Sequence, residues 1–175
     1  MSATDQPARP PGGAASPVLF ARRRGEGRPL VLLHGLLVSG ELFAPVLDAL
    51  AAHHQLIVPH LRGHGRSAHL PGPDTVEQLA DDVALLLDAL GVGQADVLGY
   101  SQGGAVAQQF ARAHPGRVRR LVLACTYAHN ALSPRERLEG WLTPWVLRAL
   151  GPGRLAALVG GAGGGAPLSR EQVAA

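Results

Sequence analysis

A serine lies between two glycines where a predicted strand ends and a helical pattern begins. Residues 99–103 read Gly-Tyr-Ser-Gln-Gly and directly follow the short run 95–98. A serine on such a strand-to-helix turn is held in a strained backbone conformation that aims its hydroxyl off the carboxyl end of the sheet. Gly99 and Gly103 suit this turn because larger side chains would collide with the neighbouring strand and helix. The pattern therefore predicts that Ser101 is a nucleophile.

A second turn, after another predicted strand, offers groups that can assist this serine. The apolar run 29–34 ends in His34 and is followed by Gly35. The N–H after such a turn and the N–H groups at a helix N-terminus can face the same point in space. Leu36 N–H and Gln102 N–H are thus predicted to form a two-donor oxyanion hole. His34 could act as the general base, but the favoured interpretation is that its side chain fixes the conformation of the loop.

Alternating strands and helices are predicted to position these residues. Apolar runs indicate strands, and apolar residues at helical spacing between capping residues and glycine or proline indicate helices. Strands are expected at 18–22, 29–34, 55–60, 95–99 and 118–125, and helices at 41–53, from Asp74 or Thr75 to Leu90, and at 102–114. This order, with short connections, implies right-handed crossovers and an α/β fold with a doubly wound, mostly parallel sheet.

The composition changes at both ends of this alternating region. Residues 1–16 are rich in Pro, Gly, Ala and Ser and predict a flexible tail before a core over 17–130. Ser133 begins a helix-capping pattern, and a Gly-rich segment follows it. Residues 131–175 are therefore interpreted as a helical segment that is cut short.

The overall composition is typical of a globular protein, with 46% hydrophobic and 17% charged residues among 175. The net charge of +3 arises from scattered arginines without interleaved aromatic residues, which argues against nucleic-acid binding. No stretch approaches the roughly 18 apolar residues of a membrane span, and residues 1–16 lack the apolar region of a secretory signal, so a cytoplasmic protein is expected. Cys125, the only cysteine, is expected to pack in the core.

Four segments together resemble the α/β-hydrolase superfamily, in particular its cap-bearing serine hydrolase branch of esterases, lactonases and haloperoxidase-like enzymes. They are VLLHG (31–35), RGHGRS (62–67), LGYSQGG (98–104) and RRLVLACT (119–126). The resemblance implies that Ser101 attacks a carboxylic ester, lactone or related acyl carbon of a small molecule, with the Leu36 and Gln102 amides as oxyanion donors. It also implies that residues 131–175 are the start of a helical cap over the site, and it implies no cofactor and no metal. His60 stands where the family often has aspartate.

The chain departs from the family's pattern where the rest of a catalytic triad is expected. In the family an acid and a histidine follow the serine. Here the alternative acid position holds Thr126 and Tyr127, and His114 and His129 are the only histidines after Ser101. The triad acid and histidine are therefore expected outside this chain, which would be the N-terminal two-thirds of an enzyme. The alternatives are a carboxylesterase or thioesterase with a similar SQGG turn, or a catalytically silent fragment. The sequence sets neither the substrate's acyl and alcohol groups nor the oligomeric state.

Overall fold

Five strands form one sheet in the computed structural model, which describes residues 19–72 and 75–128. In chain order they are β1 (Ala21–Arg24), β2 (Arg28–Leu33), β3 (His54–Pro59), β4 (Ala95–Tyr100) and β5 (Val118–Ala124). Their spatial order is β1-β3-β2-β4-β5, and every neighbouring pair is parallel except β1 with β3. The predicted mostly parallel sheet is confirmed.

Helices cover the sheet and join most of its strands. The α-helices of the described residues are α1 (Leu47–Ala51), α2 (Val76–Ala89) and α3 (Gln102–Ala113), and short 3₁₀ turns occur at Gly65–Ser67 and Pro115–Arg117. The hydroxyl of Thr75 caps α2 by accepting the N–H of Gln78 at 3.2 Å. This is the cap that the spacing of the two residues predicts.

The first predicted helix is only partly α-helical. Residues Gly40–Val46 form a 3₁₀ helix that Ser39 caps, and the short α1 follows it. Pro45 lies inside the 3₁₀ segment. Because proline has no N–H, it cannot donate the hydrogen bond that an uninterrupted α-helix needs at that position. The prediction of one helix over 41–53 was wrong in this respect.

The first strand lies further along the chain than the predicted 18–22. Pairing with β3 sets its ends, since Ala21 lies opposite Pro59 and Arg24 lies opposite Leu56. The described residues all belong to the compact unit Met1–His129. The predicted tail 1–16, the cap segment 131–175, and the residues Asp74 and His129 lie outside the described residues.

β2 shows why the run 29–34 is apolar throughout. Val31 and Leu33 enter a core beneath α2 and α3, whereas Leu30 and Leu32 enter a second core beneath the 40–51 segment. A central parallel strand is covered on both faces, so both sets of side chains are buried. Helical segments on both faces make the sheet doubly wound. Leu33 lies opposite Gly99 in the parallel register of β2 with β4, so the turns after these strands share one edge.

β5 is an edge strand of the described sheet and presents apolar side chains to solvent. Leu121, Val122 and Leu123 are 38%, 49% and 43% exposed. Cys125, directly after β5, is also exposed and has a φ of +50°. The expectation that Cys125 packs in the core was wrong, because no described strand covers the outer edge of β5. An apolar run predicts burial only where a neighbouring element covers it.

Candidate active site

Ser101 occupies a sharp turn between β4 and α3. Its φ of +54° and ψ of −120° are unfavourable for a residue with a Cβ, so surrounding contacts must hold it. Its N–H donates to Ala124 O at 3.0 Å, and its carbonyl oxygen accepts the N–H of Gly104 at 2.9 Å. The hydroxyl of Thr126 donates to the same carbonyl at 2.6 Å. The strained conformation is thus fixed from the end of β5 and from the first turn of α3.

Three glycines allow the backbone around Ser101 to pack closely. A Cβ added at Gly99 would lie 2.4 Å from Gly103 O, and one at Gly103 would lie 2.2 Å from Leu33 O. A Cβ at Gly104 would lie 2.4 Å from the Thr126 side chain. Real Cβ atoms do not approach other atoms so closely, so each position requires glycine. Sequence reasoning singled out Gly99 and Gly103 but missed Gly104, whose only signal was a second glycine after the serine.

The turn after β2 lies directly against the serine. A Cβ added at Gly35 would lie 3.1 Å from Ser101 Cβ and 3.5 Å from Ser101 Oγ. Leu36 follows Gly35, and its N–H is absent from the backbone hydrogen bonds that the described loops and turns form. Gln102 is the first residue of α3, so its N–H is one of the helix's unpaired terminal donors. The fold therefore brings the turn at Gly35, directly before Leu36, against the serine, and Gln102 directly follows the serine in the chain.

His34 is fully buried and uses both ring nitrogens within the protein. Nε2 accepts the N–H of Leu61 at 2.9 Å, so the proton of the neutral ring is on Nδ1, which lies 2.8 Å from Gly35 O and donates to it. Burial is the main reason that the pKa of His34 is lowered from 6.5 to about 4, and the nearby His64 and His60 lower it further. With its acceptor nitrogen bonded to Leu61, His34 cannot take a proton from Ser101.

The loop over residues 60–67 is held by contacts that the sequence did not reveal. The buried His60 accepts the N–H of Arg66 on Nδ1 at 3.0 Å. Arg62 forms a buried bidentate pair with Asp82 of α2, with N–O distances of 2.7 and 2.6 Å, and also donates to Pro71 O. His60 thus satisfies a backbone donor where the family often has aspartate, and Arg62 anchors the loop to α2.

Within the described residues, none of the other candidate groups of the sequence analysis forms a hydrogen bond with the Ser101 hydroxyl. Thr126, at the alternative acid position, bonds the serine's carbonyl, and Tyr127 follows it. His114 ends α3, roughly 18 Å of helix away from its N-terminus, and bonds Asp81 at 3.2 Å. Over 19–72 and 75–128, no group of three His, Cys, Asp or Glu side chains is placed to hold a metal ion. No helix of these residues is long and apolar enough to cross a bilayer.

Comparison with known proteins places this geometry in a family. The family model of the alpha/beta hydrolase fold matches residues 28–150. The putative carbamate hydrolase RutD of Azorhizobium caulinodans is 38% identical over 117 residues, which are 67% of this chain and 43% of that protein. The pimeloyl-[acyl-carrier protein] methyl ester esterase of Chromobacterium violaceum is 41% identical over 124 residues, which are 70% of this chain and 44% of that protein.

Similar structures agree with these sequence matches. A thermophilic esterase from Thermogutta terrifontis superposes with a TM-score of 0.73 at 35% identity, over 79% of this chain and 51% of that chain. This chain spans about half the length of the relatives it matches. The parallel sheet, the serine turn at the carboxyl ends of its strands and the match over 28–150 show that the chain belongs to the α/β-hydrolase family.

Proposed function

We propose that this chain carries the nucleophile and the oxyanion hole of a serine hydrolase. The observation that carries the proposal is Ser101 itself, held at a φ of +54° between the end of β4 and the N-terminus of α3. Strained backbone at a defined position persists only when surrounding contacts enforce it, and such positions cluster at active sites. Here the enforcing contacts come from Ala124, Gly104 and Thr126.

In this proposal Ser101 Oγ attacks an acyl carbon, and the carbonyl oxygen becomes a tetrahedral oxyanion. The N–H groups of Leu36 and Gln102 donate to that oxygen, and the positive end of the α3 dipole adds to its stabilisation. The intermediate then collapses, the bond from the acyl carbon to the leaving group breaks, and the leaving group departs with the proton that the serine hydroxyl lost. Water hydrolyses the resulting acyl-enzyme to the acid and restores Ser101. Because the negative charge exists fully only after attack, these donors stabilise the transition state more than the bound substrate.

A histidine base and its carboxylate partner are proposed to lie outside these 175 residues. Two observations support this. His34 has its acceptor nitrogen occupied by Leu61, and His60 Nδ1 is occupied by Arg66. Without a base a serine hydroxyl is a weak nucleophile, so the chain depends on such groups for full activity. No cofactor takes part in the proposed reaction.

The proposed substrate is a small carboxylic ester, lactone or related acyl compound. The names of the relatives describe a carbamate hydrolase, a methyl ester esterase and an esterase. Carbamates and esters share a carbonyl carbon that bears an oxygen or nitrogen leaving group, which is the bond that an acyl-enzyme mechanism cleaves. A thioester meets the same requirement, so the thioesterase alternative differs in the leaving group and keeps the roles of Ser101, Leu36 and Gln102.

Covalent labelling tests the nucleophile. A fluorophosphonate probe is added to the full-length wild-type protein, to Ser101→Ala and, as a matched control, to Ser39→Ala. Ser39 is another loop serine, but its side chain caps a 3₁₀ helix. We expect labelling of the wild type and of Ser39→Ala, and none of Ser101→Ala. Labelling that survives in Ser101→Ala would refute the assignment, and a wild type that is neither labelled nor active on p-nitrophenyl acetate would favour the catalytically silent alternative.

A further inference from the structure

The last residue of β5 and the turn after it form hydrogen bonds with both the N–H and the C=O of Ser101. Ala124 O accepts the Ser101 N–H at 3.0 Å, and two residues later the Thr126 hydroxyl donates to the Ser101 carbonyl at 2.6 Å. Cys125, between them, has a φ of +50°. This left-handed conformation is unfavourable for a residue with a Cβ, and here it accompanies a turn that directs Thr126 back onto the serine. Sequence reasoning had considered Thr126 only as the occupant of an acid position.

The carbonyl that Thr126 holds belongs to the same peptide unit as the Gln102 N–H. A trans peptide is planar, and its C=O and N–H point in opposite directions. Fixing the direction of the Ser101 carbonyl therefore fixes the direction of the Gln102 N–H. A hydrogen bond to the carbonyl oxygen also polarises the peptide and makes its N–H a stronger donor.

The hydroxyl of Thr126 is one of two donors to this oxygen. Gly104 N–H also donates to it at 2.9 Å, as part of the first turn of α3. The Thr126 side chain lies directly on this turn, since a Cβ added at Gly104 would meet it at 2.4 Å. Thr126 therefore acts on the peptide from outside the helix, and its removal leaves the Gly104 bond in place.

We propose that Thr126 is a positioning residue that orients and strengthens the Gln102 N–H as an oxyanion donor. This inference rests on the proposed function, because it assigns the bond a purpose only if an oxyanion forms beside Ser101. It goes further in naming a side chain that touches neither the substrate nor the serine hydroxyl and still sets the rate of acyl transfer. A purely structural threonine would affect folding stability but not the rate of the folded protein.

The test compares Thr126→Val, which removes the hydroxyl at nearly constant shape, with Thr126→Ser, which keeps it. Thr75→Val is the matched control, since it removes the hydroxyl that caps α2 by accepting the Gln78 N–H. Loss of a whole oxyanion donor costs about 10²- to 10³-fold in kcat. Because the Gly104 bond remains, we expect Thr126→Val to lower kcat for p-nitrophenyl acetate by about 10-fold with little change in KM.

Three further results are expected of the full-length variants. The affinity for a trifluoromethyl ketone, which forms a tetrahedral oxyanion on the serine, should fall with Thr126→Val by the same factor as kcat. Thr126→Ser should restore most of both losses, and Thr75→Val should change neither. Circular dichroism checks the fold, and if Thr126→Val does not fold, Thr126→Ala takes its place in the comparison.

The outcomes separate this inference from the proposed function. Wild-type kcat and ketone affinity in a folded Thr126→Val would overturn the inference while leaving Ser101 as the nucleophile. Equal losses in Thr126→Val and Thr126→Ser would also overturn it, because packing and not the hydroxyl would then be responsible. A wild type that Ser101-directed fluorophosphonate does not label would refute the proposed function, and the inference with it.

Discussion

Replacing His34 by glutamine should make the stability of the fold less sensitive to acid. His34 has a pKa of 6.5 in an unfolded chain and about 4 in the folded protein, chiefly because its ring is buried. Between these values the unfolded chain binds more protons than the folded protein. Unfolding is therefore favoured as the pH falls, and the stability that the neutral ring contributes is complete above the unfolded pKa and is lost below it.

The magnitude follows from the two pKa values. At about pH 5 the ring is mostly protonated in the unfolded chain and mostly neutral in the folded protein, so linkage gives a loss of about 2 kcal/mol relative to about pH 7.5. The loss levels off at about 3 kcal/mol once both states are protonated. Protonation of Nε2 also breaks the bond that Leu61 N–H donates to it.

The assay is equilibrium unfolding in urea at both pH values, followed by circular dichroism. Glutamine offers an oxygen to Leu61 but does not titrate. His34→Gln should be less stable than the wild type at about pH 7.5 by about 1 kcal/mol, for the lost bond to Gly35. Its further loss on moving to about pH 5 should be about 2 kcal/mol smaller than that of the wild type.

His53 supplies the matched control, since its ring is exposed before β3. Its replacement leaves His34 and the contacts of His34 unchanged, so His53→Gln should lose about as much stability on acidification as the wild type does. If the wild type and His34→Gln lose equal stability between the two pH values, the argument from burial is refuted. The folded protein would then accept a proton on His34 at no cost.

A close backbone approach, a buried ion pair and an exposed edge strand lead to three further predictions. Gly103→Ala should destabilise the fold by more than about 2 kcal/mol in urea unfolding, because its Cβ would lie 2.2 Å from a carbonyl oxygen, whereas Gly116→Ala, where a Cβ meets nothing within 4 Å, should change stability little. Asp82→Asn should cost about 3 to 5 kcal/mol because it neutralises the carboxylate that forms the buried bidentate pair with Arg62, and a wild-type midpoint would contradict this. The exposed apolar side chains of β5 should cause the 175-residue chain to self-associate, and Val122→Lys should reduce this association in light scattering; unchanged scattering would show that the edge of β5 is not where the copies meet.

The positions of most strands and helices could be predicted because their signals are local. Runs such as 29–34 are apolar over their whole length, and a hydroxyl residue three positions before Gln78 indicates the start of α2. The errors arose where a neighbour in space decides the outcome. β1 takes its ends from pairing with β3, and Cys125 is exposed because no described strand lies outside β5.

The serine turn shows the same difference between features that local sequence signals reveal and features that depend on neighbours in space. The sequence by itself determined that Ser101 lies on a tight turn between a strand and a helix and that Gly99 and Gly103 flank it. A strand, a tight turn and a helix leave a recognisable pattern within a few adjacent residues. Only the tertiary structure decided that Thr126, 25 residues away, holds the serine's carbonyl, and that His34 bonds Leu61, 27 residues away. Contacts between distant segments depend on how the sheet brings strand ends together. The spacing of neighbouring residues along the sequence does not indicate which distant residues will meet.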